Sequence, residues 1–378
     1  MRTLLRSVLT PTAILRLMLG WGSFVLLLVL APVLAGPVSA WLLWLLLVGI
    51  VAVITVNAFG VVTEAEHLAH RLGDPYGTLV LTLSIAAIEV ILISAVMLGP
   101  GEHATIARDS VMAVSMIIMN LVIGAALVVG GYRHPDRRAN STGVSLYLGM
   151  LIVLLTVAFA LPGLIGDGTG AYTPAQAIIV VVLTVGVYGF FLVRQMGAQR
   201  ADFQEISGVP SAASAPARLP IRRVLAEHRA ELTARTVLLI AMVLPIVLLS
   251  HDMAALLDEG LDRLDAPIAL SGILIAMIVF LPETITTIRA ASGGDPQRVS
   301  NLCHGALVST AGLTIPVVLT IGLLTGQRVL LAETPVNLVL LGATLLLTLA
   351  TYSARRLTPL HGAVHLLMFV LYGLSVFA

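Results

Sequence analysis

Two glutamates stand where a carboxylate is expensive. Glu89 lies inside the apolar run that follows Leu72-Gly73-Asp74-Pro75-Tyr76-Gly77-Thr78, and Glu283 lies at similar depth in a second run, Ile268 to Ala290, within Leu281-Pro282-Glu283-Thr284. An ionised acid at the centre of a bilayer costs about 2.5–3.5 kcal/mol even on lenient insertion scales, so such residues mark function by default. A protonated glutamate could instead bond a neighbouring helix, or pair with an arginine. No arginine falls at matching depth in any apolar run, since Arg108 and Arg289 stand at run ends. Two carboxyls can hold one divalent ion or two protons with nearly the same net charge. Burial favours the protonated form and a bound cation the ionised one, which is the basis of an exchange. Calcium takes about six to eight oxygens, so carbonyls, hydroxyls and water would have to complete its shell, whereas sodium needs fewer.

The surrounding residues supply candidates for that help. Pro282 has no N–H, so the carbonyl of Ile278 four residues back loses its helical donor; an ordinary proline kink is the alternative. Thr78 and Thr82 precede Glu89 by 11 and 7 residues, and Thr286 and Thr287 follow Glu283 by 3 and 4, so each pair shares a helix face with its acid. They could line a polar access path from one side, or simply bond their own helix backbones. Ser110, Ser115 and Asn120, and Ser309 and Thr310, are further candidates for ligands or supporting groups, with Gly305 and Gly312 suited to close packing. His361 and His365 have a metal-ligand spacing but no evident third partner, and an interfacial helix end is the alternative. His304, beside Cys303, reads as structural. No His-Glu-x-x-His, Asp-rich cluster or Gly-x-Ser-x-Gly supports a membrane-embedded hydrolase, so no enzymatic activity and no cofactor are expected.

The chain that positions these residues has 378 residues, of which 58% are hydrophobic and only 11% charged. Soluble domains carry roughly a quarter charged residues, so this composition is that of a polytopic membrane protein whose main partner is the lipid bilayer. The net charge of +1 gives no reason to expect a nucleic-acid partner, and the single Cys303 excludes an internal disulfide framework. Windows of about 20 apolar residues fall near 17–36, 39–60, 77–99, 109–131, 143–163, 174–195, 235–256, 267–290, 300–325, 335–353 and 359–378, which predicts an all-α fold of eleven transmembrane helices. The first window is longer than a signal-peptide core and is expected to be retained. Arginine-rich loops (Arg133, Arg137 and Arg138; Arg200, Arg218, Arg222, Arg223 and Arg229; Arg355 and Arg356) all fall on one side if the N-terminus is cytoplasmic and the C-terminus external. Arg108, Arg263 and Arg328 fall on the other.

The segment 196–234 contains Gly208-Val209-Pro210-Ser211-Ala212-Ala213-Ser214-Ala215-Pro216, a linker composition, followed by a basic amphipathic stretch from Ile221 to Arg235 that could rest on anionic headgroups. The expected organisation is an N-terminal helix in 1–38, a five-helix repeat in 39–195, a cytoplasmic linker in 196–234 and a second five-helix repeat in 235–378. Odd-numbered halves must be inverted relative to one another, the architecture of many secondary transporters.

Read together, Gly73-Asp74-Pro75-Tyr76-Gly77-Thr78-Leu79 running into Ile88-Glu89-Val90, Pro282-Glu283-Thr284 followed by Ile288-Arg289-Ala290-Ala291, and Gly312-Leu313-Thr314-Ile315-Pro316 make the chain resemble the calcium/proton antiporter family of the cation/calcium exchanger superfamily, in its bacterial form. The resemblance covers nearly everything after the first helix. It implies two inverted repeats, each donating one acid, Glu89 and Glu283, which bind calcium and protons alternately in a bacterial inner membrane. Sodium or potassium exchange on the same scaffold is the alternative ion. The sequence departs from the family where Ile85-Ala86-Ala87-Ile88 and Ile278-Val279-Phe280-Leu281 replace the Gly-Asn-Ala run that often precedes the acids, and where the linker is arginine-rich instead of acidic.

Overall fold

The computed structural model describes residues 8–34, 39–72, 76–98, 104–136, 139–204, 227–267 and 269–377, with backbone alone at 32–34, 69–70, 76–82, 85, 92, 95–96, 269, 271 and 279. The described residues are helical, without strands. The helices are α1 Pro11–Leu34, α2 Ala40–Leu72, α3 Tyr76–Met97, α4 Ile106–Met116, α5 Ile123–Arg133, α6 Ser141–Leu155, α7 Leu161–Ile165, α8 Pro174–Met196, α9 Arg229–Asp262, α10 Ala269–Val279, α11 Leu281–Ser292, α12 Pro296–Thr325, α13 Pro335–Ser353 and α14 Pro359–Val376. A π-helical turn, Ile117–Val122, joins α4 to α5, and another, Thr156–Ala160, joins α6 to α7. Nine helices or continuous helix runs among the described residues are long and apolar enough to cross a membrane, ten if the bent pair α10–α11 is one span. The remaining expected window coincides with α3, so the count of eleven stays an expectation.

Local chemistry explains the helix starts. Thr173-Pro174, Asp295-Pro296 and Thr334-Pro335 each place a side-chain acceptor at the N-cap and a proline at the first helical position, where its missing N–H is harmless. Thr358-Pro359 repeats the pattern, with His361 Nδ1 accepting from the Thr358 amide at 3.1 Å. Burial runs opposite to that of a soluble helix. On α8, Thr184 and Tyr188 are buried while Ile178, Val182, Leu183 and Phe190 are exposed, the arrangement expected against lipid.

The chain divides into two compact units, 1–88 with 206–264 and 89–205 with 265–378. In the first, α2 packs along α9, with α1 against both. Pro245 inside α9 removes the donor for the Ala241 carbonyl, and the Trp21 indole of α1 takes its place at 3.0 Å. Two windows are corrected here. Helix α2 runs past residue 60 to Leu72, and residues 229–235 are the opening turns of α9, not part of a separate linker helix; residues 221–226 lie outside the described residues. The extension is possible because Arg235 neutralises the buried acids it meets: Nη1 donates to Glu64 at 2.7 Å and Nε to Glu231 at 3.2 Å, while Arg71 reaches Glu231 at 3.2 Å.

In the second unit α12 is the central helix, packed by α4, α5, α6, α8 and α11. Small residues let backbones meet. A Cβ on Gly362 of α14 would lie 2.5 Å from the Gly124 carbonyl of α5, and one on Gly312 would lie 2.7 Å from the Tyr188 ring. Gly362→Val is therefore expected to lower stability by about 1–3 kcal/mol, read as a lower melting temperature in detergent, whereas Gly373→Ala, in open space, should change little.

Candidate functional site

Glu89 and Glu283 are both in the second unit, both buried, and close enough to interact electrostatically. Glu89 projects from α3, and its Oε2 accepts a hydrogen bond from Thr310 of α12. Its Oε1 has no hydrogen-bond partner among the described residues, and neither has Oε2 of Glu283. Glu283 takes a hydrogen bond from its own backbone N–H. Two carboxyls, each with an unpartnered buried oxygen, are costly to the fold and suited to a proton or a cation.

At Pro282, where an ordinary kink is the alternative to a freed carbonyl, the helix breaks outright. Helix α10 ends at Val279 and α11 begins at Leu281, bent by 55°, with Phe280 at the joint (φ −87°, ψ 2°). Pro282 thereby falls in the first turn of α11, and Glu283 with it. The Ile278 carbonyl is then one of the last four of α10, which helix geometry leaves without an intrahelical donor. On α12, Pro316 likewise removes the donor for the Gly312 carbonyl. The buried Thr314 hydroxyl, one turn beyond Thr310, has no hydrogen-bond partner among the described residues.

The other candidates sort by their partners. Thr287 is buried and accepts from the Cys303 thiol at 3.9 Å, and Cys303 interacts electrostatically with Glu283. The Thr286 hydroxyl donates to the Pro282 carbonyl at 3.0 Å and Ser115 to Val111 at 2.7 Å, which are bonds to their own helices. Ser309 accepts from Tyr188 at 2.9 Å, and Ser110 is buried. The side chains of Thr78 and Thr82 lie outside the described residues. Asn120, in the first π turn, donates to Thr344 at 2.9 Å and sits 3.3 Å from His365 Nδ1, in a cluster of its own. A π turn releases a carbonyl from the helical ladder, and His365 takes that of Met119.

His365 is thus not at an interfacial helix end. It is fully buried and also lies 3.2 Å from Thr351, whereas His361 serves the cap of α14. Among the described residues no group of three His, Cys, Asp or Glu could hold a metal. His304 packs between Tyr147 and Tyr352 and bonds Ser300, as a structural residue would. Sequence reasoning missed Arg235 as a buried ion-pair partner and the Asn120–Thr344–His365 cluster. The i, i+4 spacing of Glu231 and Arg235 and the threonine series 344, 348, 351 were the available signals.

A sequence model described as sodium/calcium exchanger protein matches residues 41–197 and 234–378. The chain belongs to this exchanger family. Its sequence is 30% identical over 381 residues to the sodium-potassium/proton antiporter ChaA of Escherichia coli, covering 98% of this chain and 96% of that one. The solved structure of native YfkE superposes with a TM-score of 0.70 at 16% identity, covering 96% of this chain and 99% of that one. The H+/Ca2+ exchanger CAX gives a TM-score of 0.66 at 15% identity, covering 96% and 89%. At such identities these two structures establish the shared exchanger fold. The chain is an integral membrane protein of the cation/calcium exchanger superfamily with bacterial relatives, as its acid motifs led one to expect.

Proposed function

We propose that this exchanger is a secondary active cation/proton antiporter in which Glu89 and Glu283 alternately carry protons and a cytoplasmic cation. The observation that carries this reading is the pair of buried carboxyls, each with an oxygen left unpartnered among the described residues. A pH difference then drives the cation out at about 1.36 kcal/mol per proton per pH unit. The arginine distribution argues for a cytoplasmic N-terminus and an external C-terminus, in the inner membrane of a bacterium. The two matched segments, 41–197 and 234–378, flank the linker and suit two inverted five-helix repeats.

Sodium or potassium is the leading cation. The 30% identity with a sodium-potassium/proton antiporter supports it, and so does the absence, before each acid, of the Gly-Asn-Ala run often found in the calcium/proton family, with Ile85-Ala86-Ala87-Ile88 and Ile278-Val279-Phe280-Leu281 in its place. Calcium is the second reading, favoured by the near-equivalence of one divalent ion and two protons on two carboxyls. Proton flux in proteoliposomes with an imposed pH gradient separates them. Sodium or potassium is expected to move protons; a response to calcium alone would reverse the assignment, and no response to any of the three would end the antiport reading.

A further inference from the structure

The end of the second unit that faces outward in this orientation holds another buried carboxyl, which the exchange site does not use. Glu333 directly precedes the N-cap of α13, with 1% of its side chain accessible. Its Oε2 is fixed by the Thr334 amide at 3.0 Å and by Asn337 Nδ2 at 2.8 Å. Its Oε1 is buried without a hydrogen-bond partner among the described residues. The cation facing Oε1 is Arg108 of α4, whose Nε is 3.9 Å away. That Nε instead donates to Asp109 at 2.8 Å, and Nη1 donates to the Ala332 carbonyl at 3.1 Å.

The surroundings are fixed. Leu330 N donates to the Ala104 carbonyl at 2.9 Å and Leu331 N to Gly170 at 3.0 Å, which pins the 326–334 segment. Arg328 is committed to Asp167 at 2.6 Å and so does not serve Glu333. Tyr372 of α14 lies within electrostatic range of both Glu333 and Asp109. From α13 the facing groups are the uncharged Thr334 and Asn337. Asp109 abuts α10, the helix that leads down to the break before Glu283: a Cβ on Gly272 would lie 3.8 Å from its carbonyl carbon.

We propose that Glu333 is a proton-binding group at the mouth of the second unit, and that Arg108 is its two-position counter-ion, resting on Asp109 when Glu333 is protonated and moving to Glu333 when it is not. In the structure Arg108 rests on Asp109. An ionised Glu333 would have its buried Oε1 held by no hydrogen bond among the described residues and only by a long 3.9 Å ion pair with Arg108, which is costly; a protonated one leaves Arg108 free to satisfy Asp109. Burial also pushes the Glu333 pKa up, against the opposing pull of Asn337, Thr334 and Arg108. A proton from external water therefore changes the cluster from one net negative charge to none, and a net negative cluster at the outward end attracts cations. External acid neutralises the mouth and releases the cation on the side where protons enter.

This inference rests on the antiport reading for its transport consequences but not for its protonation state, so two experiments are needed. Infrared spectra of the purified wild type should contain a carboxylic-acid C=O band at near-neutral pH that Glu333→Gln lacks; identical spectra would overturn the proposal even if no ion is transported. In oriented vesicles at alkaline external pH, where Glu333 is ionised in the wild type, Glu333→Gln should raise the external cation KM about fivefold or more and leave only the pH dependence that Glu89 and Glu283 set, while Arg108→Gln should lower it. The cytoplasmic-side KM should not move in either variant. Shifts in the same direction in both variants, or a wild-type external profile in Glu333→Gln, would mean that the cluster is merely structural. A wild type that moves no cation would defeat the antiport reading and leave the infrared result to decide Glu333.

Discussion

Glu89→Gln and Glu283→Gln are each expected to abolish cation-dependent proton movement in proteoliposomes while leaving the protein at least as stable as wild type. Glutamine preserves the size of the side chain and can still accept from Thr310 at position 89. It cannot bind or release a proton, and it offers a cation no charge. Each carboxyl also has an oxygen with no hydrogen-bond partner among the described residues, and a charge at membrane depth costs about 2.5–3.5 kcal/mol. The substitutions should therefore relieve the fold while silencing the exchanger, seen as an equal or higher melting temperature with no proton flux. Loss of flux with a collapsed melting temperature would mark the acids as structural. Normal flux in either variant would remove that residue from the mechanism.

Arg235→Ala should have the largest effect on stability, a loss of about 3–5 kcal/mol measured by unfolding in detergent. The arginine joins Glu64 and Glu231 at 2.7 and 3.2 Å, and its removal leaves the buried Glu64 without its counter-ion. Arg71 is about half exposed and covers only Glu231, so it does not compensate. Arg235→Lys should recover part of the loss, because one ammonium cannot make both of the directed contacts of the guanidinium fork. Combining Arg235→Gln with Glu64→Gln should recover more, since the cost arises from the charge left behind. A melting temperature unchanged in Arg235→Ala would show that the triad is solvated and energetically idle.

The sequence by itself determined the helical, membrane-embedded class and the positions of most spans, and it singled out the two acids. Each of these is written locally. Twenty apolar residues span a bilayer, and an isolated glutamate in an apolar run has no local reason to be there. The tertiary structure decided what pairs with what. Glu64 lay beyond the apolar window and Arg235 at the edge of one, and only their meeting across 171 residues lets α2 run on to Leu72. Asn120 read as a neighbour of the acids, but the π turn and a partner 245 residues away draw it to His365 instead. Thr310 was one hydroxyl among several until the fold brought it to Glu89 across 221 residues. Hydrophobic periodicity fixes which residues leave water, whereas the partner of a buried polar group depends on which helices pack together, and that choice is made only when the chain has folded.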